Sequence, residues 1–195
     1  GLQGKRAFIH SIAHIELNAI DLAWDIICRF VYEDMPIDFY NDWVCVALDE
    51  AEHFNMLVTR LNSLAANYGD LAAHDGLWEA ADKTKDDLAS RLALVPMILE
   101  ARGLDTTPIA VKRFKDAGDT ETAAILDQIG AEEIPHVAAG VRWFEFLCNR
   151  RGVFPISTFH EIVASQYNGL IKPPFNIAAR TAAGMSKKYY KQEKK

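Results

Sequence analysis

The chain has 195 residues, half of them apolar and a quarter charged, with a formal net charge of −6. That length suits one domain with a sizeable core, and the acidic balance disfavours general nucleic-acid binding, which draws on a basic excess. No stretch reaches membrane-spanning length without charge, and Cys28, Cys45 and Cys148 are odd in number and lack metal-ligand spacing.

These three cysteines are expected to be reduced, buried thiols in a reducing, cytoplasmic compartment. No secretory signal opens the sequence. It begins with Gly1 rather than Met, which leaves room for a segment ahead of it.

The first helix is predicted from about Gln3 to Tyr32, because Ile9, Ile12, Ala13, Glu16, Ile20, Ala23 and Ile27 recur at helical spacing. Asp34-Met35-Pro36 breaks it, and Pro36 suits the first turn of a second helix that runs to about Tyr68 and stops at Gly69. Residues 69–76 read as a loop. A third helix is predicted from Leu77 to Arg102, kinked at Pro96 and ended by Gly103. Thr107 and Pro108 mark the start of a short helix to about Ala117. Asp119 caps a fourth long helix ending near Arg151 and interrupted by Pro135. Thr158 and Glu161 have capping-box spacing for a short helix to about Tyr167. The remainder, with Pro173-Pro174 and the lysines Lys187, Lys188, Lys191, Lys194 and Lys195, reads as an irregular arm with a solvated basic end. No segment alternates with period two, so the expected class is all-α: an antiparallel four-helix bundle with additional short C-terminal helices.

Charged residues avoid the inner faces of bundle helices, and four glutamates break that rule. Glu16 lies in the apolar face of the first helix, and Glu100 follows the apolar run from Val95 to Leu99. Glu50 and His53, and again Glu133 and His136, form Glu-x-x-His pairs, which place a carboxylate and an imidazole on one helix face. The order is Glu, Glu-x-x-His, Glu, Glu-x-x-His, one element per long helix. Glu16 to Glu50 spans 34 positions and Glu100 to Glu133 spans 33, so the halves read as nearly superposable hairpins. Together the six side chains match the ligand set of di-iron and di-manganese carboxylate bundles. Four carboxylates neutralise two divalent ions, and carboxylate with imidazole suits iron or manganese. Asp49 and Glu132, each just before a ligand glutamate, are candidates to hydrogen-bond the imidazoles of His136 and His53 respectively. His10 and His14 point away from Glu16 around the helix and read as packing or surface residues, and His74 reads as local loop structure. His160 is a candidate substrate-side residue.

The ligand order resembles one known family. So do Ala72-Ala73-His74-Asp75-Gly76-Leu77-Trp78, Glu100-Ala101-Arg102-Gly103-Leu104-Asp105 and Pro173-Pro174-Phe175-Asn176. That family is the ferritin-like group catalogued as domain of unknown function 455, and the resemblance runs from about Lys5 to Met185. More widely the chain resembles ferritin-like di-iron proteins, among them the tRNA hydroxylase that oxidises a prenylated adenosine. The resemblance implies a single ferritin-like domain over residues 1–195, with a four-helix core over about 3–151 and a C-terminal helix and arm over about 152–195. It implies the six metal ligands just named. Pro135 departs from the pattern and predicts a bent or widened turn beside His136.

The expected activity is that of an oxidoreductase: two iron ions, or manganese or a mixed pair, activating O₂ to oxidise or hydroxylate a small-molecule substrate. The alternatives are tRNA modification, which the negative charge disfavours, and ferroxidase or metal-binding roles without an organic substrate. A monomer or homodimer is expected, with no membrane partner. The sequence names neither substrate nor electron donor.

Overall fold

Helix α1 (Leu2–Arg29) opens the fold in a computed structural model that describes residues 1–167 and 169–191. The expected basic end at Lys194 and Lys195 lies outside the described residues. The described chain is all-helical, with no strand among the described residues and no helix long and apolar enough to cross a membrane. It divides into two compact units, residues 1–79 and 80–195.

In the first unit α1 is followed by a 3₁₀ turn (Val31–Glu33) and by α2 (Ile37–Ser63). Asp34 takes a left-handed backbone conformation (φ 49°) and the chain reverses there. Ile9, Ala13, Leu22, Ala23 and Ile26 on α1, and Phe39, Trp43, Val46, Leu57 and Leu61 on α2, are buried at helical spacing, and the two helices pack as a hairpin. Its open end is tied by Arg6, whose guanidinium donates to the Leu64 carbonyl at 2.8 Å through Nε and 2.5 Å through Nη2. The second helix stops at Ser63, short of Tyr68. The Ala65 N–H donates to the Asn62 carbonyl and the Ala66 N–H to the Leu61 carbonyl, with Ala65 left-handed (φ 55°). The end carbonyls are thus satisfied before Gly69 is reached.

Helix α3 (Gly76–Lys83) crosses the boundary between units. The predicted long third helix does not continue from it. Asp87 is the reason: its carboxylate accepts from the Ser90 N–H (2.9 Å) and the Ser90 hydroxyl (2.8 Å), capping a new helix, α4 (Leu88–Leu94). The turn between α3 and α4 is held from inside by fully buried Arg91, which donates to the Thr84 hydroxyl (2.8 Å) and the Ala81 carbonyl (2.7 Å).

A π-helical segment (Val95–Glu100) follows without a break and leads into α5 (Ala101–Asp116). Pro96 has no N–H to continue the α ladder, and the Ala101 N–H reaches back five residues to the Pro96 carbonyl. Gly103 does not end the helix and Pro108 does not begin one; both lie inside α5. Proline at 108 leaves the Leu104 carbonyl without its helical donor, and the Asn176 side-chain amide supplies one at 3.2 Å.

Helix α6 (Thr120–Arg150) is capped by Asp119, which accepts from the Thr122 N–H and hydroxyl. It stays α-helical through Pro135, so the widened turn expected there lies at Pro96 instead. Pro96 packs against Gly140 of α6, where a β-carbon would stand only 2.5 Å from Pro96 Cβ. At the far end Arg151 donates to Asp87 at 2.9 Å, so the segment from α4 to the π turn runs antiparallel to α6.

Helix α7 (Pro155–Gln166) starts three residues ahead of Thr158, with Pro155 in its first turn, so the capping box goes unused. The arm forms α8 (Ile177–Ala182) and α9 (Lys187–Tyr190). It is anchored rather than irregular: Asp105 and Arg180 form a buried pair, and the Tyr189 hydroxyl donates to Glu145 at 2.7 Å. Of the cysteines only Cys148 is buried, and burial pushes its thiol up to about 11. Cys28 and Cys45 sit on the outer faces of α1 and α2 and are exposed, against expectation.

Candidate metal centre

Helical spacing builds the site in the first unit. Glu50 and His53 lie one turn apart on α2, and Glu16 meets them from α1. His53 Nδ1 stands 3.2 Å from Glu16 Oε2 and 3.6 Å from Glu50 Oε2. All three side chains are buried, at 5 %, 1 % and 0 % exposure for Glu16, Glu50 and His53. One ligand atom from each lies within 4.8 Å of the others.

Two carboxylates enclosed this way are costly as anions unless positive charge balances them. Burial alone would push the His53 imidazole down, but the hydrogen bonds and charges of Glu16 and Glu50 outweigh it and hold it up at about 11. The imidazolium therefore supplies one balancing proton in the metal-free chain. A divalent cation supplies more charge and takes ligand atoms of the kind present, carboxylate oxygen and imidazole nitrogen, which suit iron or manganese. The cluster fits a metal ion.

The second unit repeats the pair. Glu133 and His136 lie one turn apart on α6, buried at 8 % and 1 % exposure, with His136 Nδ1 3.6 Å from Glu133 Oε2. Glu100 is half-buried and closes the π segment. Asp49 and Glu132 are half-buried beside Glu50 and Glu133, and Glu132 accepts from Gln128 at 3.2 Å.

The other histidines make structural contacts. His10 Nε2 accepts from the Gly69 N–H (3.0 Å) and its ring stacks on Tyr68 at 5.1 Å. His14 Nδ1 meets the Tyr68 hydroxyl at 2.8 Å, and the Asn18 amide reaches its Nε2 at 3.1 Å. His74 Nδ1 accepts from the Gly76 N–H at 3.2 Å, as local loop structure. His160 Nε2 donates to the Lys188 carbonyl at 2.8 Å, joining α7 to α9.

Sequence reasoning missed Asp105, Asn176 and Arg180. A signal existed: two of the stretches that carry the family resemblance, Glu100 to Asp105 and Pro173 to Asn176, bind one another. The Arg102 guanidinium donates to the Lys172 and Pro174 carbonyls at 2.9 and 3.0 Å, and the Asn176 N–H to Asp105 at 2.8 Å.

These features define an all-helical protein with a buried glutamate–histidine cluster suited to a metal ion. The chain belongs to the family described as protein of unknown function (DUF455), which matches residues 1–191. It is 39% identical over 189 residues to an uncharacterized protein of Haemophilus influenzae (strain ATCC 51907 / DSM 11121 / KW20 / Rd), a match that covers 94% of this chain. The chain spans 66% of that relative's length. No solved structure matches it.

Proposed function

We propose that the protein is a ferritin-like four-helix bundle carrying two iron ions, or manganese or a mixed pair, on Glu16, Glu50, His53, Glu100, Glu133 and His136, and that it is an oxidoreductase. Reduced ions held there would supply the electrons that O₂ needs for oxidation or hydroxylation of a C–H-bearing small molecule. The buried Glu16–Glu50–His53 cluster carries the reading, since an interior carboxylate pair is expensive without a cation. The repeat of Glu-x-x-His at Glu133 and His136 supports a second ion with an equivalent ligand set.

In this reading Glu16, Glu50, Glu100 and Glu133 would hold the ions through carboxylate oxygens, and His53 and His136 would hold them through imidazole nitrogens. The residues must leave a coordination position open, as a catalytic metal site does. Before loading, His53 holds a proton between two carboxylates, so metal entry displaces it.

The test begins with anaerobic Fe(II) titration, which should saturate near two irons per chain. Addition of O₂ should then give a transient visible absorption band and consume O₂. Chains that take up no metal, or metal-loaded chains that leave O₂ untouched with every reductant tried, would sink the oxidase reading.

A further inference from the structure

The C-terminal arm grips the chain immediately after Glu100. Arg180 is 2 % exposed and Asp105 3 %. The Arg180 guanidinium forks onto the Asp105 carboxylate, through Nε at 2.9 Å and Nη2 at 2.7 Å. The same Nη2 donates to the Ala101 carbonyl at 3.2 Å. The rings of Phe175 and Tyr190 lie 5.3 and 4.6 Å from the guanidinium carbon. The Asn176 N–H and side-chain amide bind Asp105 and the Leu104 carbonyl, and Arg102 binds two arm carbonyls.

A π turn is less stable than an α turn and persists where its surroundings hold it. Here it is held at both ends. Pro96 sits against Gly140 at the front. At the back Ala101 gives its N–H to Pro96 and takes Arg180 on its carbonyl. Glu100 is the residue between these restraints. If the extra residue of the π turn were redistributed, the side chain at 100 would swing by about 100° around the helix axis. Its carboxylate would then leave its present direction.

We infer that Arg180 and Asp105 are positioning residues: the arm clamps the end of the π segment and so aims the Glu100 carboxylate for metal binding. The inference rests on the reading above, in which Glu100 is a ligand. Partners hydrogen-bonded directly to a metal ligand change affinity by about 10- to 100-fold, and the clamp, which acts one residue away through the Ala101 backbone, belongs at the lower end of that range.

The experiment is Mn(II) titration of the full chain, followed by electron paramagnetic resonance, for wild type, Arg180→Lys, Asp105→Asn, Glu100→Gln and the double variants with Glu100→Gln. Tyr189→Phe, which cuts a different tie of the arm, serves as the control. Metal-free unfolding temperatures are recorded alongside. Arg180→Lys and Asp105→Asn should weaken one Mn(II) by about tenfold or more, and should weaken it no further once Glu100 is already glutamine. Tyr189→Phe should leave Mn(II) binding unchanged.

Wild-type affinity in Arg180→Lys and Asp105→Asn, with loss in Glu100→Gln, would overturn the clamp and leave the metal reading standing. Losses that simply add to that of Glu100→Gln would also overturn it, since they would mark general weakening. Wild type that binds neither Mn(II) nor Fe(II) overturns the metal reading, and the clamp with it. Arg102→Gln, which cuts the ties to the Lys172 and Pro174 carbonyls and a 3.5 Å contact with Asp105 while sparing Arg180, carries the same test if a buried variant does not fold.

Discussion

His53 is the residue on which the first half of the centre turns, because it lies against both carboxylates at 3.2 and 3.6 Å. Removing it should leave two acids facing each other with neither proton nor ring between them. His53→Ala and Glu50→Gln are therefore expected to lose at least half of the bound metal, read by elemental analysis of protein loaded anaerobically. Asp87 carries a different load, as cap of α4 and partner of Arg151. Burial would raise its carboxyl, but the Ser90 hydroxyl and N–H and the Arg151 guanidinium hold it below the ordinary value of 3.8. A carboxyl depressed in the folded state stabilises above its unfolded value, and the gain is lost as pH falls through the folded value. Asparagine caps as well as aspartate, so Asp87→Asn isolates the charge. It should be slightly less stable than wild type at pH 7, and the gap in urea midpoint should close as pH falls below 3.8 and through the folded value. Asp87→Ala removes the cap too and should cost about 1 kcal/mol at neutral pH.

At the scale of elements, two glycines separate a working contact from an unused opening. Gly140 faces Pro96 so closely that an added β-carbon would stand 2.5 and 2.7 Å from its ring carbons. A proline ring cannot swing aside, and Gly140→Ala should destabilise by about 1–3 kcal/mol, as overpacking does. Gly103 lies inside α5 with an ordinary backbone, and nothing stands within 4 Å of the place an alanine methyl would take. Gly103→Ala should stabilise by about 0.5–1 kcal/mol. Both are measured by urea denaturation. Gly103 also shows where local rules mislead. Gly103, Thr107 and Pro108 carry stop and start signals, yet α5 runs through all three because Asn176, distant in sequence, repairs the missing donor at 108. The break before Leu88 is legible in principle, since Asp87 and Ser90 form a capping pair, but the apolar periodicity of Leu92 to Leu99 overshadows it. Pro96 signals a disturbance from the sequence alone, but the form it takes, a π turn, depends on Gly140 across the interface between helices.

At the scale of the whole molecule, helical periodicity alone makes the all-helical class legible, and burial of Glu16, Glu50, His53, Glu133 and His136 accords with an inward-facing set. The arm is not legible from periodicity, because its order comes from Arg180 and Asp105, which are 75 positions apart, and only the family-like stretches around Asp105 and Asn176 hinted at it. Metal binding to the native chain couples folding to metal. Anaerobic Fe(II) or Mn(II) should raise the unfolding temperature of wild type in scanning calorimetry, in line with binding to the native state alone. Glu50→Gln and Glu133→Gln should each reduce that rise, and a chelator should reverse it.

The bond from Asn176 to the Leu104 carbonyl has an evolutionary corollary. Asn176 does two jobs: its oxygen receives the Ala179 N–H at the start of α8, and its amide nitrogen makes good what Pro108 withholds. Aspartate or serine can do the first job but leaves the second undone, or nearly so. In descendants of this fold the two positions should covary: proline at 108 inherited together with asparagine at 176, and acidic or hydroxyl substitutes at 176 admitted only where 108 has regained an N–H.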